Sequence, residues 1–155
     1  MNSRNDTELI ITRTYAAPRE LVWQAWTDPK HIMQWWGPHG FSNTACVSDL
    51  RVGGSFHLMM QAPNGVSYPC TGIYREISAP ERIIFDSTAD EGHPCGAGLP
   101  PRALVTVSFA AQEQHTRLTL HTRFISAVRK QAASQAGYGS SWGEALDRLA
   151  ATLTL

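Results

Sequence analysis

"SAVRKQAASQAGYGSSWGEALDRLAATL", residues 126–153, closes a chain whose middle reads almost entirely as short strands. Trp142, Leu146, Leu149 and Leu153 are spaced four, three and four residues apart, which places them on one face of a helix. Glu144 and Arg148 fall an i,i+4 step apart on another face. Ser141-x-x-Glu144 has the form of a capping box at which a helix can restart after Gly137 and Gly139. The segment as a whole favours one long helix, kinked at the glycines, over two separate ones. Its apolar stripe needs a broad surface to cover it.

The preceding residues supply that surface. "ELIITRTY" (8–15) is β-branched and aromatic, and its alternation puts Leu9, Ile11, Arg13 and Tyr15 on one face of a first strand. "AAPRELVWQAWTD" (16–28) then predicts a short helix, with Pro18 in the first turn and Leu21, Val22, Ala25 and Trp26 as its apolar stripe. Asp28-Pro29 breaks it, and "PKHIMQWW" (29–36) reads as a second short helix stopped by Gly37-Pro38. From Phe41 the period changes to two. About six strands follow, with turns at "RVGG" (51–54) and "PNG" (63–65). Phe56, Leu58 and Met60 share a face, as do Tyr68, Cys70, Gly72 and Tyr74, and Val105, Val107 and Phe109 with Leu118, Leu120 and Phe124. The order is a strand, two short helices, strands, then a helix. It predicts an α+β fold in which a curved antiparallel sheet wraps a long C-terminal helix. Space remains between sheet and helix unless bulky side chains fill it, so an apolar cavity is expected. Residues 8–155 form one domain in this reading, behind a flexible N-terminus of residues 1–7.

Composition narrows the function. The chain has 155 residues, 13 basic and 13 acidic, and no Lys/Arg run, which argues against nucleic-acid binding and membrane insertion. No apolar stretch follows the N-terminus that would serve as a signal peptide, so a cytoplasmic location is expected. Cys46, Cys70 and Cys95 are far apart and odd in number, with no C-x-x-C, and the histidines show no H-x-x-x-H; neither a metal nor another cofactor is expected. No nucleophile–base grouping or phosphate loop stands out, so no catalytic residue is assigned. Asp49 and Arg51 read as a structural ion pair. "ADEGHPCGAGLPPR" (89–102), too rich in Gly and Pro for a strand, reads as a loop that gates the cavity.

Trp35 and Trp36 in "QWWGPHGF" (34–41) pose a packing question. On a helix they stand about 100° apart, so their rings are not expected to share one environment. One is expected beneath the Gly37-Pro38 turn and the other in the space between sheet and helix. Trp36 is assigned to the cavity and Trp35 to the anchor.

Three separated stretches, "AAPRELVWQAWTDPKHIMQWWGPHGF", "DLRVGGSFHLMMQAPNGVSYPCTGIYREISAPERIIF" and "SSWGEALDRLAATL", resemble the family named for the activator of Hsp90 ATPase, within the START-like helix-grip superfamily. The resemblance runs from about Leu9 to Leu153. It implies a sheet gripping the C-terminal helix around an apolar cavity, in a superfamily that includes lipid carriers, hormone receptors and aromatase/cyclases. The function expected is binding of a small apolar or amphipathic ligand. The alternatives are a chaperone-associated interaction module and a cyclase- or hydrolase-type enzyme using the same pocket. The expected lining is Trp26, Trp36, Phe56, Leu58, Met60, Tyr68, Tyr74, Val107, Leu120, Tyr138, Trp142 and Leu146, with Arg13 as the polar candidate for a ligand carboxylate. A monomer or homodimer is expected. The eukaryotic co-chaperone of this family carries a separate docking domain for which these residues have no room, so no Hsp90 ATPase stimulation by this chain alone is expected.

Overall fold

Alternation of buried and exposed residues runs through nearly every strand, and it gives the sheet one covered face. The structure is a computed structural model that describes residues 6–87 and 102–153. Strand β1 (Glu8–Tyr15) is followed by helices α1 (Arg19–Thr27) and α2 (Pro29–Trp35). Then come β2 (Ser42–Ser48), β3 (Ser55–Gln61), β4 (Ser67–Ser78), β5 (Arg82–Ser87), β6 (Leu104–Gln112) and β7 (His115–Arg123). Helices α3 (Ala127–Gln135) and α4 (Tyr138–Thr152) end the chain.

The seven strands form one antiparallel sheet in the order β1-β7-β6-β5-β4-β3-β2. Strands β2 to β7 are a meander, while β1 and β2, consecutive in sequence, lie at opposite edges. The connection between them must therefore cross the sheet. It does so as α1, packed against β6 and β7, and α2, packed against β2 and α4. Register aligns the apolar positions across the strands: Ile11 faces Leu120, Leu120 faces Val107, and Val107 faces Ile83. Thr116, buried at the start of β7, donates to the Ala17 carbonyl at 2.8 Å and ties the connection to the sheet.

Gly72 lets the Phe56 ring lie against the backbone of β4. It faces Phe56 in the register, and a Cβ there would lie 2.5 Å from the Phe56 ring and 2.5 Å from the Asp86 carbonyl oxygen. The ring occupies the space that a side chain would need.

The C-terminal segment differs from the single kinked helix expected. Gly137, at φ 92°, adopts the left-handed conformation that favours glycine, and it separates α3 from α4. Helix α3 buries no side chain, and Val128 on it is 74% exposed. The buried stripe starts only at Tyr138 and Trp142, so core packing holds α4 far more than α3, of which only Ala133 packs partly against the core. The capping box is not used. Helix α4 begins at Gly137 without a side-chain cap, and the Ser141 N–H bonds the Gly137 carbonyl inside the first turn. Ahead of β1, the Thr7 carbonyl accepts from Phe124 N–H, so the chain is tied down before Glu8. Residues 1–5 and, apart from Arg102, the whole expected gate at 89–102 with His93 and Cys95 lie outside the described residues. Among the described residues no helix is long and apolar enough to cross a membrane.

Gly72→Ala is expected to cost about 1–3 kcal/mol in urea denaturation, because the Asp86 backbone oxygen cannot retreat without breaking the β4–β5 ladder. A loss below about 0.5 kcal/mol, within the range of neutral surface substitutions, would mean that Phe56 and the ladder both yield.

Candidate functional site

Helix α2 stops at Trp35, and this decides where the two adjacent indoles go. Trp36 has φ −62° and ψ 133°, which is extended, so the 100° helical offset does not apply to it. The two rings instead meet in one environment, 5.5 Å apart at 44°, contrary to the expectation from helical geometry. Both surround Trp26 of α1, whose ring lies 4.7 Å from Trp35 and 6.1 Å from Trp36. Trp26 also stacks on Trp142 of α4 at 5.9 Å and 16°. Trp35 is fully buried and donates from Nε1 to the Ala25 carbonyl at 2.8 Å. Trp36 presents its ring to Trp142 and to Phe56 of β3. Trp23 stands apart, edge-on to Phe109.

Beside this cluster lies a narrow apolar cavity of about 20 Å³. The helices and the following turn contribute Trp26, Ile32 and Trp36. The sheet contributes Cys46 and Ser48 from β2, Phe56 and Leu58 from β3, Tyr74 from β4, and Ile83 and Phe85 from β5. Trp142 lines a smaller recess of about 10 Å³ on the other side of Trp36, with Gly37, Pro38, Ser141 and Ala145.

Of the expected lining, Trp26, Trp36, Phe56, Leu58 and Tyr74 stand at the cavity. Val107, Leu120 and Leu146 are fully buried elsewhere in the core. Met60, also fully buried, packs close to Gly37 under the turn. Tyr68 packs against Phe41, and the Tyr138 hydroxyl pairs with Thr122 Oγ1 at 2.8 Å. Arg13 does not reach the cavity; it bonds the Thr12 carbonyl and lies 3.4 Å from Asp147 of α4. Ile32, Cys46, Ser48, Ile83 and Phe85 are lining residues not anticipated from sequence. Alternation in "RIIFDST" does carry a signal for Ile83 and Phe85. Cys46 and Ser48 reach the cavity through register, because Cys46 faces Leu58 and Ser48 faces Phe56.

Among the described residues, none that lines the cavity carries a charge. Ser48 Oγ and Tyr74 OH are 2.8 Å apart, and burial raises the Tyr74 pKa above its ordinary value. Burial, with a smaller contribution from Asp28, pushes the Cys46 thiol up to about 11. Trp26 Nε1 is buried with no hydrogen-bond partner among the described residues. Among those residues no group of three or more His, Cys, Asp and Glu side chains could hold a metal.

The turn over the cluster is held by α4 and β2. Arg148 Nη1 donates to the Trp36, Gly37 and Pro38 carbonyls at 3.3, 2.9 and 3.0 Å. One helical turn earlier, the Glu144 carboxylate accepts from His39 N–H at 2.9 Å. Asn43 Nδ2 donates to the Met33 and Trp36 carbonyls. Partial burial disfavours the charged guanidinium and lowers the Arg148 pKa.

Residues 16–154 match the family described as activator of Hsp90 ATPase homolog 1-like protein. Among solved structures, a protein from Nitrosomonas europaea is 26% identical with a TM-score of 0.84, covering 96% of this chain and 94% of its own. One from Arthrobacter aurescens is 25% identical with a TM-score of 0.85, covering 99% and 89%. An AHSA1-like protein from Aeromonas hydrophila is 25% identical with a TM-score of 0.67, covering 94% and 96%. Comparison with curated proteins finds no match.

Arg148→Met is expected to lower stability by about 1.5–3 kcal/mol, the range for hydrogen bonds to a charged group, and to speed amide exchange at His39 and Phe41. Unchanged exchange in that turn would show that Asn43 and packing suffice to hold it. At pH 8 the Cys46 thiol should alkylate about a hundredfold more slowly than a cysteine of ordinary pKa, read by peptide mapping after iodoacetamide, because its thiolate fraction is lower by that factor.

Proposed function

Because the chain belongs to the activator of Hsp90 ATPase homolog 1-like family, with the START-like helix-grip fold, we propose that it binds a small apolar or amphipathic molecule between the sheet and α4. The observation that carries this reading is the cavity itself: rings and aliphatic side chains on every wall, and few polar groups, all uncharged. At about 20 Å³ it admits roughly one water-sized group as it stands. A larger guest enters when a wall moves. The wall best placed to move is the Trp36–Gly40 turn, which has no regular secondary structure and is clamped through side chains of Arg148, Glu144 and Asn43. Cys46 and Tyr74, whose pKa values burial raises, stay protonated at neutral pH, which suits holding a guest more than transforming it.

A second reading rests on a surface. Val47, Leu50 and Val52 are 68%, 41% and 62% exposed at the end of edge strand β2, and exposed apolar residues gathered in this way suit a protein partner. A chaperone is the partner class that the family description suggests.

Native mass spectrometry of the protein purified from its own host is expected to show a co-purifying small molecule at one per chain. Trp36→Ala should lower its occupancy at least about fivefold. Trp35→Ala should instead cost about 3–5 kcal/mol of stability, the usual loss for a core Trp truncation. Absence of any bound molecule, together with saturable capture of the host's Hsp90-type chaperone that V47D/V52D abolishes, would transfer the assignment to the second reading.

A further inference from the structure

The cavity's polar groups are unbalanced in one direction. Trp26 is 4% exposed, forms part of the cavity wall, and its indole N–H has no acceptor among the described residues. Its ring neighbours Trp35, Trp36, Trp142 and Phe109 offer no lone pair to it. Trp35, of similar burial, does have its acceptor in the Ala25 carbonyl. Arg19 Nε and Asn43 Oδ1 are also buried without a partner among the described residues, but neither residue lines the cavity. A buried donor left unmade costs about 1–3 kcal/mol, which a bound acceptor would recover.

The second polar element points the same way. Ser48 and Tyr74 carry two hydroxyl protons between them, and the bond joining them uses one. A donor therefore remains on the Ser48–Tyr74 pair, which lines the same cavity as Trp26. No cation lines the cavity, so a carboxylate or phosphate placed there would be a desolvated, unpaired charge. The walls against which a guest would lie are the rings of Trp26, Trp36, Phe56, Tyr74 and Phe85.

We infer that the ligand is a neutral aromatic molecule with a hydrogen-bond-accepting oxygen, such as an aryl ketone or ester, whose carbonyl accepts from Trp26 Nε1–H. This rests on the ligand-binding reading above and narrows it. It separates aromatic carbonyl compounds from free fatty acids, whose carboxylates the site cannot pair, and from plain hydrocarbons, which leave the indole unmatched. The Trp26 N–H is a specificity determinant and the surrounding rings supply the bulk of the contact.

Three probes of similar shape test it: acetophenone, α-methylstyrene, in which a methylene replaces the carbonyl oxygen, and benzoate. The indole N–H resonances of 15N-tryptophan-labelled protein report the binding. Acetophenone is expected to bind about tenfold more tightly than α-methylstyrene, as one recovered hydrogen bond implies, and to move the Trp26 Nε1–H signal downfield. Benzoate should bind more weakly than either. In Trp26→Phe the preference for acetophenone over α-methylstyrene should disappear while both still bind. If that variant does not fold, the wild-type Trp26 signal, assigned through its contacts with Trp35 and Trp142, decides alone. Equal binding of acetophenone and α-methylstyrene with an unmoved Trp26 signal would overturn this inference and leave the binding reading standing. Tightest binding by benzoate would overturn it in the same way. Failure of all three to bind would overturn this inference, and the binding reading would fall with it only if the protein from its own host also carries no small molecule.

Discussion

Trp26 is the point at which the separate parts of the chain meet. Its ring touches Trp35 of α2, Trp36 of the turn, Phe109 of β6 and Trp142 of α4, all within 6.4 Å. A helix-grip arrangement has to fill the gap between a curved sheet and one helix, and here four indoles fill most of it. Each aromatic pair contributes about 0.5–1.5 kcal/mol beyond its burial, so the cluster fixes both the short helices and α4 against the sheet. Trp26 joins the ties that the Thr116–Ala17 bond and the Arg148 and Asn43 contacts already give the β1-to-β2 connection.

That filling sets the terms for ligand binding. The same rings reduce the cavity to about 20 Å³, so under the proposed binding function affinity and stability draw on one set of contacts. The cluster can yield at Trp36, because this residue belongs to neither α2 nor β2. Its backbone is held by Arg148 and Asn43, polar contacts that a displaced turn can exchange for water. Trp35, locked by the Ala25 carbonyl, has no such freedom. Two adjacent tryptophans thus divide the work according to which one the helix retains.

Much of the architecture is legible from local patterns. Alternation over β3, β4, β6 and β7 picks out the buried face, since side-chain direction in a strand depends only on parity. Among the site residues, Phe56, Leu58 and Tyr74 follow from those same faces, and Trp26 from the apolar stripe of α1. Met60, Val107 and Leu120 share the strand faces and yet miss the cavity. Position along a strand decides whether an inward residue meets packing or space, and no periodicity encodes that. The single long helix expected at 126–153 fails for a related reason: alanine and glycine permit a helix there, but only from Tyr138 onward are side chains fully buried in the core, Ala133 of α3 packing on it only partly.

By itself, then, the sequence determined the order of elements, the inward face of each strand and the need for a large apolar filling, because these depend on neighbours a few residues apart. Tertiary structure alone decided that Trp36 leaves the helix and that Gly137 ends one helix and begins another. It also brought Cys46 and Ser48 to the cavity, left the Trp26 N–H without an acceptor among the described residues, and set Arg148 against carbonyls 110 to 112 residues away. Each of these depends on contacts between distant segments, whose geometry exists only once the sheet has closed around α4.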